Sequence, residues 1–429
     1  MRTYFLRRLL LIPPTLLGIT MLVFAIMRLA PGGPMEQGLS RMLGGEGKRA
    51  RAEAGFSLSS AQVLELEENY QRDKSLPRAY GEWLGVLPRD IEKIGDDFPG
   101  DAKEIEMAVP GTVHMAKVRR DDANRVELIA PEGVDLSAWR VRLRTPEEAA
   151  LRWKKWMKDT PLKKPAAYRA VLFRPKLDGL LQGSLGNSSK YQDSVWSMIL
   201  QRIPCSLFYG LVSMAIIYGV CLPLGVLKAI KHRSWLDNVS SFAVFAGYAV
   251  PGYALGSLLV VFLGAKLGWF PIRGFTGDNF DTLAPGDKVK DLLQHAVMPL
   301  TCYLIGSFAF MTLIVKNNLM DNLAADYVRT AVAKGVSYPS AVFRHAFRNS
   351  IIPIASTFGG NVTLLVAGSM LIERVFDING FGLLQFNAIL ERDEPLIMGV
   401  LFVSALLMLI GNILSDLCVA MVDPRVSFK

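Results

Sequence analysis

Histidine and cysteine are both scarce, with four of each among 429 residues. The cysteines (Cys205, Cys221, Cys302 and Cys418) form no C-x-x-C pair, and the histidines lie far apart without ligand spacing. That excludes a disulfide scaffold and gives no recognisable zinc site. Also missing are G-x-x-x-x-G-K-[ST], H-E-x-x-H and G-x-S-x-G. The nearest approach to a phosphate loop, Gly44-Gly45-Glu46-Gly47-Lys48-Arg49, has the wrong spacing and no hydroxyl after its lysine. No nucleophile, base and orienting group fall together, so the chain reads as non-catalytic.

Charge is missing as well, but only locally. Residues 30–202 hold 28 basic and 25 acidic side chains, against 48 and 39 in the whole chain. The rest is too apolar for a water-soluble fold. Six uncharged stretches stand out: 9–27, 203–227, 239–265, 296–315, 350–372 and 395–415. A helix of about 20 residues crosses roughly 30 Å of hydrocarbon, so each is long enough to span a bilayer. A plain soluble enzyme and a disordered tail protein are both excluded. The first stretch follows Arg2, Arg7 and Arg8 but exceeds a signal-peptide core, so it reads as a retained anchor. Pro13 and Pro14 need not interrupt it.

Basic residues orient the spans. With the N-terminus in the cytoplasm, the short inner segments hold 13 Lys plus Arg and the short outer ones 6. Both termini are then expected in the cytoplasm and the charged segment outside, so the net charge of +9 is topological and points away from nucleic acid. Arg28 and Asp416 lie at span ends, where local pairing is the expected explanation rather than a proton relay. The four cysteines read as small apolar packing residues.

In the outer segment, Ala30-Pro31-Gly32-Gly33-Pro34 should end the first helix. A helix is expected to open near Leu58-Ser59-Ser60, and another at Thr145-Pro146 through Met157. Gly44 to Arg51 reads as flexible. The alternating runs 112–118, 125–130 and 139–144 suit a small antiparallel sheet. Trp139, Trp153 and Trp156 read as a small core with contact to the headgroup layer, in preference to a ligand platform.

The inner segment 316–349 is the informative one. It contains Asp326-Tyr327-Val328-Arg329-Thr330-Ala331-Val332-Ala333-Lys334-Gly335-Val336-Ser337-Tyr338-Pro339, then Phe343-Arg344-His345-Ala346-Phe347-Arg348-Asn349 and Pro353. Composition makes 326–334 helical. Gly335 suits a left-handed helix end, and Ser337 and Pro339 suit the start of a short second helix. Such a hairpin would present a short amphipathic helix to a soluble partner, the alternative being a loop held on the membrane surface by its basic residues.

Arg329-Thr330-Ala331-x-x-x-Gly335 resembles the E-A-A-x-x-x-G loop of ABC importer permeases, the binding-protein-dependent transport inner-membrane components. The R-T-A-x-A-K-G form followed by R-H-A-x-R-N is similar to the dipeptide, oligopeptide and nickel branch. So are the Ala30–Pro34 text, Gly183-Ser184-Leu185-Gly186, Trp269-Phe270-Pro271, Gly368-Ser369, Glu373, Gly380-Phe381-Gly382, Arg392-Asp393 and Asp423-Pro424-Arg425. The likeness is closest to the oligopeptide and microcin C subgroup. It covers about 30–90 and nearly everything from 178 onward. Arg329 replaces an acidic residue of the general motif, and Asn379 and Glu394 stand where Pro and Tyr are frequent.

The resemblance implies an all-α polytopic membrane protein with six transmembrane helices, like a type I ABC importer permease. The largest departure is the region 91–177, which the family pattern does not explain and which is expected to be a small α+β extracytoplasmic insert between helices 1 and 2. Residues 1–29 would be the first helix, 30–202 the extracytoplasmic domain with 91–177 as inserted subdomain, and 203–429 a five-helix core carrying the loop 316–349. The chain would be half of a pathway in a bacterial inner membrane, importing di- or oligopeptides or peptide-like solutes. Implied partners are a second homologous permease, two cytoplasmic ATPases and an extracytoplasmic solute-binding protein. ATP and magnesium would sit on the ATPases, and this chain would hold no cofactor and no metal. The implied coupling residues are Arg329, Thr330, Ala331, Gly335, Val336, Ser337, Tyr338, Pro339 and Val342. The insert is expected to dock the binding protein or to act as a spacer. A self-contained channel or secondary carrier with an outer receptor domain is the alternative, and the near absence of charge inside the spans weighs against it.

Overall fold

The computed structural model describes residues 2–43, 59–157, 166–367 and 369–422. The Gly44–Arg51 expectation, Leu58, Gly368 and the Asp423-Pro424-Arg425 text lie outside them. Two compact units emerge: a helical one (Met1–Thr20, Val195–Glu391 and Leu396–Lys429) and a mixed one (Met21–Ser194 and Arg392–Pro395). Helix α1 (Arg2–Leu29) carries Pro13 and Pro14 in its interior without ending.

In the mixed unit, α2 (Pro34–Leu43) precedes α3 (Ser60–Asn69) and α4 (Leu76–Leu84). The α3 start is a full capping box. Ser59 Oγ accepts from Gln62 N at 3.2 Å, while Gln62 Oε1 accepts from Ser59 N at 3.0 Å. Six strands follow: β1 (Arg89–Asp97), β2 (Glu104–Ala108), β3 (Met115–Arg120), β4 (Val126–Ile129), β5 (Arg140–Arg144) and, after α5 (Pro146–Met157), β6 (Arg169–Lys176). Thr145 caps α5, its Oγ1 accepting from Glu148 N at 3.3 Å, with Pro146 in the first helical position.

The strands make two antiparallel sheets, β1-β6-β5 and β2-β3-β4, which corrects the expected single sheet. The predicted runs divide: 112–118 and 125–130 give β3 and β4, whereas 139–144 gives β5 in the other sheet. Its central strand is β6, whose Ala170-Val171-Leu172 is wholly buried. Such an unbroken apolar run marks a strand covered on both faces, a signal distinct from alternation. The edge strand β1 is largely charged and gives no period-2 signal. Arg89 pairs with Lys176, so the subdomain enters and leaves through adjacent strand ends.

Both sheets share one core of Phe98, Ile105, Met107, Val118, Trp139 and Leu172. Trp153 instead joins Met35, Leu39, Val63 and Met157 between α2, α3 and α5. The tryptophans therefore do not assemble into a platform.

In the helical unit, α6 (Val195–Ile216) runs through a π-helical turn (Ile217–Cys221) into α7 (Leu222–Ile230). Then come α8 (Trp235–Ala249), α9 (Gly252–Leu259) and α10 (Pro285–Ala324). Pro251 separates α8 from α9, and Val250 before it is extended, as the residue before a proline prefers. Next are α11 (Asp326–Ala333), α12 (Tyr338–Ala341), a π-helical segment (Val342–Phe347), α13 (Arg348–Ser350) and α14 (Ile352–Ala367). The chain ends with α15 (Met370–Val375), α16 (Phe381–Glu391) and α17 (Glu394–Val422). Among the described residues four helical runs are long and apolar enough to cross a membrane: Thr3–Ser40, Val195–Ile230, Pro285–Ala324 and Glu394–Val422. The bent pair Asp237–Ala249 and Gly252–Lys266 makes a fifth if counted as one span.

The span-end charges are paired within their own units. Asp416 meets Arg8 and accepts from Tyr4 Oη at 3.1 Å, and Arg28 Nη1 donates to Gln71 O at 2.6 Å. Cys205, Cys221 and Cys302 are buried thiols among apolar neighbours.

Candidate functional site

The segment from α11 to α13 is a hairpin whose turn is set by backbone geometry. Gly335 has φ +91°, in the left-handed region. Its N–H donates to Val332 O at 2.9 Å, and Val336 N donates to Ala331 O at 3.2 Å. This crossed pair is a Schellman ending, which satisfies the last carbonyls of α11 and reverses the chain. A Cβ at Gly335 would meet nothing within 4 Å, so the need for glycine is conformational, not steric.

Ser337 then occupies the N-cap position of α12, with Pro339 in the first turn. Its side chain makes no capping bond, and its carbonyl accepts from Ala341 N at 2.9 Å. The short helix expected over 336–342 begins at Tyr338, and winding continues beyond Val342 as a π-helical segment into α13.

The hairpin has an inner and an outer face. Val328, Ala341 and Ala346 join a core with Ile217, Cys221, Val226, Met311, Val315 and Leu319. Val336 packs partly against the same core, and Val342 is fully buried. Val342 therefore fixes the hairpin and has no surface to offer a partner, a correction to its place in the implied coupling set. Helical geometry puts it on the inner side, one position from Phe343, which points out. Arg329, Thr330, Gly335, Ser337, Tyr338 and Pro339 are exposed, and Ala331 is half-buried. Tyr338 and Phe343 are 52% and 57% exposed, large apolar surface on a segment otherwise well anchored. Arg329 lies 3.8 Å from Asp326, with both side chains largely in solvent.

Beneath the hairpin lies an ionic cluster that composition did not reveal. Lys316 Nζ of α10 donates to Asp237 Oδ1 at 2.7 Å and Oδ2 at 2.9 Å. Lys228 Nζ of α7 reaches Asp237 O, Ser240 Oγ and Ser241 Oγ at 3.2, 2.7 and 2.9 Å. Asp237 also accepts from Arg233 N at 3.1 Å. All three charged side chains are buried. Lys228 and Lys316 belong to the 13 basic residues of the short inner segments, where composition marks them only as orienting charges. Their shared carboxylate is remote in sequence from Lys316 and leaves no local pattern.

The Glu373 and Gly380-Phe381-Gly382 texts form one joint. Glu373 Oε2 accepts from Leu383 N at 2.7 Å in the first turn of α16, and Oε1 accepts from Tyr303 Oη at 3.1 Å. A Cβ on Gly380 would come within 2.5 Å of Glu373 Oε2, and one on Gly382 within 2.9 Å of Met370 N. The glycines are needed so that the carboxylate can reach the helix end. In the mixed unit, Asp393 Oδ1 accepts from Ser189 N at 3.2 Å, and Ser188 Oγ donates to Asp393 Oδ2.

Residues 221–428 match the family model for the binding-protein-dependent transport system inner membrane component. The inner membrane ABC transporter permease protein YejB of Escherichia coli O157:H7 is 32% identical over 100% of both chains. The peptidoglycan transport system permease protein YejB of Agrobacterium fabrum is 30% identical over 100% of this chain and 99% of its own. The oligopeptide transport system permease protein AppB of Bacillus subtilis is 32% identical over 59% of this chain and 78% of its own. The two full-length alignments run through 91–177, so the inserted region is shared by those relatives. The chain belongs to the inner-membrane permease components of binding-protein-dependent ABC transporters.

Proposed function

We propose that this chain is one permease half of an ABC importer for di- or oligopeptides or peptide-like solutes. It would be driven through the 326–353 hairpin by ATPases on the cytoplasmic side. The single observation that carries the reading is the hairpin itself. A Schellman turn at Gly335 aims α12 outward, and Tyr338 and Phe343 stay exposed above a tightly held core. An exposed pair of aromatics on an anchored short helix is the form of a helix-in-groove contact.

In this reading Arg329, Thr330, Ala331, Gly335, Ser337, Tyr338 and Pro339 meet or aim toward an ATPase cleft, while Val336 and Val342 hold the hairpin from below. ATP and magnesium belong to the ATPases, and this chain is non-catalytic. A second homologous permease completes the pathway, and a solute-binding protein delivers the cargo from outside. Six spans follow from the uncharged stretches, and cytoplasmic termini with an extracytoplasmic 30–202 domain from the basic residues of the inner segments. The α+β subdomain within it, 91–177, lies on the side where the binding protein arrives. Peptide cargo is supported by the oligopeptide transport system for which one relative is named.

Gly335→Asp tests the hairpin. A side chain at φ +91° strains the turn, so the reconstituted transporter should keep its permease in the membrane while peptide uptake per ATP hydrolysed falls sharply. Unchanged uptake per ATP by that variant would reject the assignment.

A further inference from the structure

The hairpin and the ionic cluster are joined through one turn of α10. Ser350 Oγ, at the end of α13, donates to Asn318 O at 3.1 Å. Two residues earlier on the same helix, Lys316 holds the Asp237 carboxylate of α8 with both oxygens. The two contacts fall within one turn of α10, so the hairpin and the cluster hold the same turn. On the cluster side, α7 is pressed against α10. A Cβ on Gly225 would lie 2.6 Å from Val315 and 3.0 Å from Thr312 O, leaving no room for sliding. Lys228 lies about one turn along α7 from that contact and grips the first two turns of α8 through three hydrogen bonds.

We propose that the Lys316–Asp237–Lys228 cluster is the strut that carries displacement of the hairpin into α8, with Lys316 as its positioning residue. This rests on the reading of the hairpin given above. An apolar contact between α8 and α10 could slip as helices rock, because dispersion is non-directional. A carboxylate gripped through both oxygens cannot slip without breaking buried hydrogen bonds, so it forces the helix ends to move together. The stoichiometry separates this role from mere stability. Two lysines share one carboxylate, Lys228 Nζ lying 3.4 Å from Asp237 Oδ1, so removing Lys316 leaves Asp237 with Lys228 and creates no unpaired buried charge. Removing Asp237 leaves two buried cations without an anion.

The test uses the full transporter in proteoliposomes, with trialanine as the probe, and compares Lys316→Met, Lys316→Arg, Asp237→Asn and Gly335→Asp. Lys316→Met is expected to assemble and to hydrolyse ATP at the wild-type basal rate. Its trialanine imported per ATP should fall about tenfold, a typical size for coupling between sites. Lys316→Arg should restore most of that ratio, and Asp237→Asn should fail to accumulate. A wild-type ratio in Lys316→Met would overturn the strut, and so would failure of that variant to assemble, which would make the cluster a folding element. Loss of coupling in Gly335→Asp with none in Lys316→Met rejects the strut alone. Retention in both rejects the hairpin reading beneath it.

Discussion

Glu67 of the mixed unit is almost fully buried, and its Oε1 accepts from Arg152 at 2.8 Å, Lys155 at 3.1 Å and the Trp156 indole at 3.0 Å. Glu373 of the helical unit is equally buried, but its partners are the Tyr303 hydroxyl and the Leu383 amide. Around Glu67 two cationic donors reach solvent, and Lys155 is about half exposed. Around Glu373 the described residues offer no ion pair, and the side chain is shut off from solvent. Charge at Glu67 is shared among several donors and replaceable, and charge at Glu373 is single and specific. Electrostatics in an apolar surround are strong when satisfied and costly when broken, so the same residue type takes different work in the two settings.

Truncation is the sharpest way to break that comparison. Glu373→Ala should cost the most, about 2–6 kcal/mol, because two buried donors lose their acceptor at roughly 1–3 kcal/mol each. Thermal denaturation of the purified complex measures it, and Glu373→Gln, which keeps an acceptor oxygen, should recover much of the loss. Glu67→Ala should cost less, about 1–2 kcal/mol, since Arg152 and Lys155 can turn to water. Equal losses in the two variants would remove the distinction.

A smaller effect should appear with pH in the mixed unit. Burial pushes the Asp90 carboxyl up, but Lys74 and Arg142 beside it pull it further down, to a net value below its ordinary 3.8. A depressed folded value means that the contribution to stability is present above 3.8 and lost as pH falls through the folded value. Glu68 runs the other way. Burial raises its carboxyl above the ordinary 4.5 despite Arg144, so its penalty appears as pH rises through that raised value and is relieved on acidification. Melting followed between pH 5 and 3 should therefore show a late, steep loss that Asp90→Asn flattens. An unchanged profile in that variant would assign the acid lability elsewhere.

Legibility in the sequence divides along the same line. The caps at Ser59 and Thr145, the turn at Gly335 and the helical runs were readable because each depends on residues a few positions apart. The inner hairpin was readable as a motif, although its motif did not tell that Val342 is fully buried. Strand β1 was missed because an edge strand tolerates charge on both faces, and its pairing with β6 is a long-range fact. The Lys316–Asp237 cluster was missed for a similar reason, since orienting lysines and buried lysines look alike in a list of charges. What tertiary packing alone decides, spacing cannot announce.

The pairing of Arg89 with Lys176 has an engineering consequence. Strand neighbours of this kind sit about 5 Å apart at Cα, so a two-residue turn could close the gap left by excising everything between them. The subdomain is in that sense a cassette with adjoining ends. It is a natural place to exchange the corresponding region of a full-length relative. Bare excision, in contrast, would also remove Arg144, Arg152 and Trp153, which partner Glu68, Glu67 and the α2–α3 core.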